Sequence, residues 1–302
     1  MVPLKLQPIP YQGSKRALAP RICKLFPPVI DTLYEPFAGS AAVTLYAAHL
    51  NLAKRFVIGE VYPQLAGLWS LMIREPETIA SAYRALWLQQ FDVGVDHFNM
   101  VRETYNRDRS PSALLYLTAR CVKNAVRFGR RGDFTQSVDK RRNGVHPDKM
   151  ETTIRRVSAL LKGRTTVFCG DYTECIAPAV STDLIYMDPP YQGTTYGRDK
   201  RYAAQLASSD LLKCLYDLNR RDVPFVLSYD GRTGDKEYGA PLPKSIEATH
   251  LYIHAGRSSQ ATLTGRSAET LESLYISANV ARRLPKMPNY ASSRSIRPDL
   301  FA

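Results

Sequence analysis

Residues 182–197 read TDLIYMDPPYQGTTYG. The run from Leu184 to Met187 is continuously apolar, as a strand buried on both faces should be. It passes directly into Asp188, Pro189, Pro190 and Tyr191. The two prolines fix φ and lack N–H donors, so carbonyls at this strand end are free to accept hydrogen bonds. Asp188 adds a charged acceptor. Such a pair of acceptors suits an exocyclic amine, and Tyr191 offers a face on which a flat base can stack.

Working outward, six further segments have strand character: Leu33–Glu35, Arg55–Gly59, Thr166–Cys169, Phe225–Ser228, Ala248–His254 and Glu272–Ala278, with Asp183–Met187 as the fourth in chain order. Helical periodicity falls between them. Ala41–Leu52 follows the first strand, and Ser209–Arg221 places Leu211, Leu212, Leu215 and Leu218 on one face with Ser209 as N-cap. Alternating strand and helix predict a doubly wound parallel sheet, a Rossmann-like α/β fold of seven strands. Ligands of such sheets sit beyond the C-terminal strand ends.

The stretch between the second and third strands reads as helix. Pro76 suits N1 of one helix, Asp96 the cap of a second, and Ser110-Pro111 the start of a third. A fourth, about Asp148–Leu161, aligns Met150, Ile154, Val157 and Leu161 before Gly163 as a stop. The chain thus divides into a discontinuous catalytic domain (1–65 and 164–281), a mainly helical insertion (66–163) and a basic flexible tail (282–302).

Charge supports a polyanionic partner. Lys and Arg number 41 against 28 Asp and Glu, a net charge of +13. Arg120, Lys123, Arg127, Arg130, Arg131, Lys140, Arg141 and Arg142 crowd one segment that holds only Asp133 and Asp139 as acids. No apolar run approaches the roughly eighteen residues of a membrane span, and no secretory leader is visible. The five cysteines form no CxxC pair, so a reducing, cytoplasmic setting is expected, with Cys169 packed in the core. The five histidines are scattered, and no metal site is expected.

Two other strand ends carry chemistry. YEPFAGSAAV (34–43) is a strand, a small-residue turn and a helix start, where Gly39, Ser40 and Ala41 let backbone approach a ligand. About twenty residues further, VIGEVY ends the second strand at Glu60, the spacing at which an acid commonly accepts from ribose hydroxyls. The glycines of GxGxxG are absent, which favours a smaller nucleoside ligand over a dinucleotide.

YQGSK (11–15), EPFAGS (35–40) and DPPY (188–191), in that order, resemble the DNA adenine-N6 methyltransferases, specifically the Dam-like group of the alpha arrangement. RFGRRGDF (127–134) is similar to a segment of that family's recognition insertion, and GRSSQATLTGRSAETLESLYIS (256–277) to its RS-rich loop and final hairpin. The resemblance implies S-adenosyl-L-methionine as cofactor, held by Tyr11, Lys15, Glu35, Phe37, Gly39, Ser40, Ala41, Glu60, Asp171, Tyr172 and Asp188. It implies catalysis by Asp188, Pro189, Pro190 and Tyr191. It further implies double-stranded DNA as partner, met by Lys123, Asn124, Arg127, Arg130, Arg131, Phe134, Arg257 and Ser258. A cognate restriction endonuclease and the oligomeric state stay open.

Ala41 stands where the family's FxGxG pattern has glycine, and Glu60 where Asp is commoner; size and charge type are kept. Gly129, Thr135 and Ser137 replace Asn, Asn and Pro, which leaves the target sequence open. Two alternatives remain at this level: an RNA adenine or cytosine-N4 methyltransferase, and a non-catalytic DNA-binding subunit with the same fold.

Overall fold

The computed structural model describes residues 6–129, 131–190, 208–233, 236–238, 241–257 and 269–283. Among the described residues eight strands form one sheet: β1 (Thr32–Glu35), β2 (Arg55–Glu60), β3 (Thr165–Cys169), β4 (Leu184–Met187), β5 (Phe225–Thr233), β6 (Lys236–Tyr238), β7 (Ala248–Arg257) and β8 (Glu269–Ser277). The order is β3-β2-β1-β4-β5-β8-β7, with β6 paired to β5. β1, β2, β3, β4 and β5 are parallel, whereas β8 lies antiparallel to both β5 and β7. The doubly wound expectation therefore holds for the parallel half only. The chain between Arg257 and Glu269 is shorter than the dozen or so residues a parallel crossover needs.

The helices are α1 (Ala19–Cys23), α2 (Ala42–His49), α3 (Pro63–Arg74), α4 (Pro76–Val93), α5 (Val95–Asp108), α6 (Pro111–Arg120), α7 (Pro147–Leu161), α8 (Tyr172–Ile176) and α9 (Ser208–Arg220), followed by a short turn of helix at Ala278–Ala281. Pro63, Pro76, Pro111 and Pro147 each open a helix at a position whose N–H has no intrahelical partner. Ser110 caps α6 by accepting from the Ala113 amide. Asp96 does not cap α5; Gly94 does, at φ 73°, and Asp96 sits in the first turn, where its charge still favours the helix dipole.

Strand β4 shows why the deciding stretch reads as continuously apolar. Leu184 and Tyr186 join one hydrophobic cluster, and Ile185 and Met187 join the other, as the two-residue pleat requires. The first cluster runs from Leu33 and Phe56 of the sheet through Leu45 of α2 to Trp69, Tyr83, Phe98, Tyr116 and Ile154 of the inserted helices. The helical insertion is thus fused to the sheet through shared packing. The second cluster carries Tyr172, Cys175, Leu215 and Leu218 from α8 and α9 on the opposite face.

β3 is an edge strand, and this corrects one expectation. Cys169 at its end is exposed, while Cys23, Cys121, Cys175 and Cys214 are buried. No helix among the described residues is long and apolar enough to cross a membrane. Most of the basic tail lies outside the described residues, which end at Arg283.

Candidate active site

β1 neighbours both β2 and β4, and the connections leaving β1 and β4 cover opposite faces, so a crevice opens at their C-terminal ends. A cavity of about 750 Å³ occupies it. That size accommodates a nucleoside-containing ligand. Its wall includes Tyr11, Lys15, Glu35, Phe37, Gly39, Ser40, Glu60, Asp171, Tyr172, Asp188 and Pro190. Residues from five separate segments of the sequence are thereby brought together. Ala41 and Pro189 are not in the wall, and both are buried. Tyr191, Arg130 and Ser258, and the side chain of Arg257, lie outside the described residues.

The turn after β1 is held from three sides. The Gly39 amide donates to Glu60 Oε1 at 2.5 Å, and the Gly39 carbonyl accepts from Trp69 Nε1 at 3.0 Å. Ser40 Oγ donates to Ser14 Oγ at 2.8 Å, which ties the N-terminal YQGSK segment to the turn. Gly39 has φ +49°, and an added Cβ would lie 3.3 Å from the Tyr11 ring, so both the backbone conformation and the packing call for glycine. Ala41 is also left-handed, at φ 45° and ψ 38°. Here alanine carries the cost that the family's glycine avoids.

Glu35 does two things. Its Oε2 accepts from the Thr44 amide at 2.8 Å, so it serves the N-terminus of α2 from the preceding strand. Burial pushes its carboxyl up to about 7 against the opposing Thr44 hydrogen bonds, with nearby Asp188 pushing the same way. Burial likewise raises Glu60 to about 8; the Gly39 hydrogen bond opposes this and Glu35 adds to it. Across the cavity, Phe37 and Tyr172 pack with ring centroids 5.0 Å apart, giving an aromatic wall. Asp171 caps α8 through the Thr173 amide at 2.9 Å.

Asp188 is ion-paired. Lys15 Nζ lies 2.8 Å from Asp188 Oδ1 and 3.0 Å from Glu272 Oε1. Burial alone would lower the Lys15 ammonium, but the two carboxylates outweigh it and hold its pKa above the ordinary lysine value. Glu272, Trp69 and Ser14 did not emerge from the sequence. Ser14 was reachable, since it lies inside YQGSK; nothing local marks the other two.

The basic segment separates into exposed and structural charges. Arg131 is 90% exposed and Arg141 85%, and Lys123 and Lys140 also face solvent. Arg120 is buried and donates to the Asp139 carbonyl, and Arg142 is bound to Asp139, Asn124 and the Cys121 carbonyl. Arg127 is half-buried. Phe134 is 1% exposed, packed edge-on to Tyr105 and Phe128, so it anchors the loop and does not face a DNA partner. The loop over 128–134 closes through Gly129–Asp133 and Gly132–Gly129 backbone bonds. Helix α5 holds it: Asn106 pairs with both the amide and the carbonyl of Phe134, and Arg109 binds Asp133 at 2.6 Å. Two contacts join this region to the cavity wall. The Gln12 amide donates to the Asn124 carbonyl at 3.0 Å, and Tyr62 packs on Phe128 with centroids 5.1 Å apart.

This sheet order, with a nucleoside-sized crevice at the switch point and a helical insertion beside it, defines a Rossmann-like methyltransferase fold. The family model described as D12 class N6 adenine-specific DNA methyltransferase matches residues 11–263, and the chain belongs to that family. It is 26% identical over 196 residues to the retron Ec67 DNA adenine methylase of Escherichia coli, covering 62% of this chain and 64% of the relative. It is 24% identical over 281 residues to the Type II methyltransferase M.FokI of Planomicrobium okeanokoites, covering 89% of this chain and 42% of the relative. The DNA adenine methylase of Serratia marcescens is 24% identical over 185 residues, covering 60% of this chain and 65% of that protein. The chain thus spans less than two thirds of the length of each of these relatives.

Proposed function

We propose that the protein transfers a methyl group from S-adenosylmethionine to N6 of an adenine in double-stranded DNA. The observation that carries this reading is the meeting of Asp188 and Pro190 with Glu60, Phe37 and Tyr172 around one cavity. The donor set fits the cofactor: an aromatic wall would suit a purine, a buried carboxyl would suit ribose hydroxyls, and the acids Glu35 and Asp188 would suit a cationic ligand. Tyr11, Lys15 and the Phe37–Ala41 turn complete the holding set. Bound there, S-adenosylmethionine supplies an electrophilic methyl group on a positively charged sulfur.

The chain's own contribution is positional and electrostatic. Adenine N6 is a weak nucleophile because its lone pair is delocalised into the ring. Asp188 accepts a hydrogen bond from the amine and draws that lone pair out of conjugation with the ring. Asp188 then provides a carboxylate beside the proton that the methylated amine must release. Because no covalent intermediate on the protein is needed, orientation supplies much of the acceleration. A base inside a duplex cannot reach this crevice, so the target nucleotide must leave the stack. The exposed charges Lys123, Arg131, Lys140 and Arg141 support a phosphate-contacting surface.

The test is direct. The protein is incubated with methyl-labelled S-adenosylmethionine and either duplex DNA or RNA, and the digested nucleosides are resolved by mass spectrometry. Label in N6-methyladenine from DNA is the expected result. Label in N4-methylcytosine or only in RNA would replace this reading, and binding to DNA with no transfer would point to a non-catalytic subunit.

A further inference from the structure

Lys15 does not pair with Asp188 alone. Its ammonium also binds Glu272 of β8, and the three side chains are mostly buried, with 11% exposure for Lys15 and Glu272 and 20% for Asp188. Glu272 is aimed by the sheet. The β5–β8 register shifts between Ser228 and Gly231, immediately before Glu272 pairs with Gly231. Irregularities of this kind redirect side chains beside active sites. Gly231 is required there, because a Cβ would lie 2.4 Å from the Leu271 carbonyl oxygen. A strand thus approaches closely, at a glycine, to bring an acid to an ion pair that already has its partner.

Charge counting shows what the second acid does. Within this triad two carboxylates share one ammonium, so the three side chains together carry one negative charge where an amine must be polarised. Without Glu272, Lys15 would neutralise Asp188 and compete with the amine for its lone pairs. Glu35 of β1 and the Tyr186 phenol of β4 also face this cluster. Neither adds a positive charge to the cluster. We propose that Glu272 is a positioning residue for methyl transfer, holding the Lys15 ammonium between itself and Asp188 so that Asp188 remains a strong acceptor. This rests on the function proposed above.

The experiment is single-turnover methylation of duplex DNA by the full chain across pH, for the wild type, Glu272→Gln, Lys15→Met and the double variant. Glu272→Gln removes an anion, so the acid limb of the rate profile should move to lower pH as Asp188 becomes harder to protonate. Its rate should fall about tenfold, with DNA affinity within about twofold of wild type. Lys15→Met leaves two carboxylates facing each other, so its acid limb should move to higher pH, and adding Glu272→Gln should bring the limb back toward wild type. A wild-type rate and limb in Glu272→Gln overturns the inference, as does a double variant whose limb matches Lys15→Met. Glu272→Asp keeps the charge and should keep the wild-type limb. Loss of thermal stability in both Glu272 variants with unmoved limbs would assign a purely structural role and overturn it too. An inactive wild type would instead sink the reading of the site itself.

Discussion

The Gly39 amide donates to Glu60 Oε1, which locks the turn after β1 to the end of β2. That bond only partly offsets the burial of Glu60, whose carboxyl is pushed up to about 8 from 4.5. The folded protein therefore holds this proton more tightly than the unfolded chain. Stability from this group is fully present below about pH 4.5 and is lost as pH rises through about 8. Glu60→Gln keeps an acceptor for Gly39 without the charge. It should match wild type near pH 4.5 and be more stable by about 1–3 kcal/mol above pH 8. Denaturant unfolding at the two pH values checks this, and an equal difference at both would remove Glu60 as the titrating group.

The same carboxyl should govern ligand affinity with the opposite preference. Ribose hydroxyls donate to the ionised form, so binding of S-adenosylmethionine should strengthen as pH rises toward about 8 and should release a proton below it. Glu60→Gln should bind more weakly and lose this pH dependence. Calorimetry in buffers of different ionisation enthalpy reads both effects. Unchanged affinity in the variant would take Glu60 out of the cofactor site.

Ala41 occupies a left-handed conformation in a fully buried position. Replacing it with glycine relieves about 1–2 kcal/mol of backbone strain. Against that stand about 0.8 kcal/mol for the methyl group no longer buried and about 0.4–1 kcal/mol of added unfolded-chain freedom. The terms nearly cancel, so Ala41→Gly should change stability by less than about 1 kcal/mol. Ala41→Val adds volume and β-branching where neither fits, and should cost about 2–4 kcal/mol. Equal stability for the two variants in urea unfolding would show that the turn is not strained.

What the sequence disclosed follows a physical line. β4 was legible because burial on both faces leaves an unbroken apolar run, and the helix starts were legible because proline is tolerated at N1. Gly39, Glu60 and Asp188, which line the cavity, were legible because strand ends carry such residues in short local motifs. Glu272 was not, because its role exists only after β8 pairs with β5 and meets the N-terminal turn. Asn106 and Arg109 are similar: ordinary polar residues on or beside a helix, they shape the 128–134 loop only through tertiary contact. Arg120, counted within the basic cluster, and Phe134, a DNA contact by resemblance, both fold inward, which neither clustering nor a shared motif discloses.

The split among the basic residues yields opposite phenotypes. Arg131→Ala with Arg141→Ala removes exposed charge and should leave stability nearly unchanged. The slope of log affinity against log salt for duplex DNA should flatten by about 0.9 for each phosphate that is no longer neutralised. Arg120→Ala empties a buried site and leaves the Asp139 carbonyl with only its weaker bond from the Arg142 amide, so it should destabilise the fold by about 2–4 kcal/mol. An unchanged salt slope in the double variant would move the DNA surface away from this segment.

The decisive substitution is at Asp188, where charge and shape can be separated. Asp188→Ala removes a charge-assisted acceptor at the cavity and, by comparison with deletions of preorganised donors in other enzymes, should cost roughly 3–4 kcal/mol, or about 10²–10³ in single-turnover rate. DNA affinity should persist, because phosphate contacts dominate it and a carboxylate makes none. Asp188→Asn keeps the shape and one acceptor oxygen but forfeits the charge that holds Lys15 at 2.8 Å. If ionic character polarises the amine, Asn should fall within about tenfold of Ala. A methylation rate near wild type for Asn would show that position alone suffices, and one near wild type for Ala would remove this strand end from the chemistry.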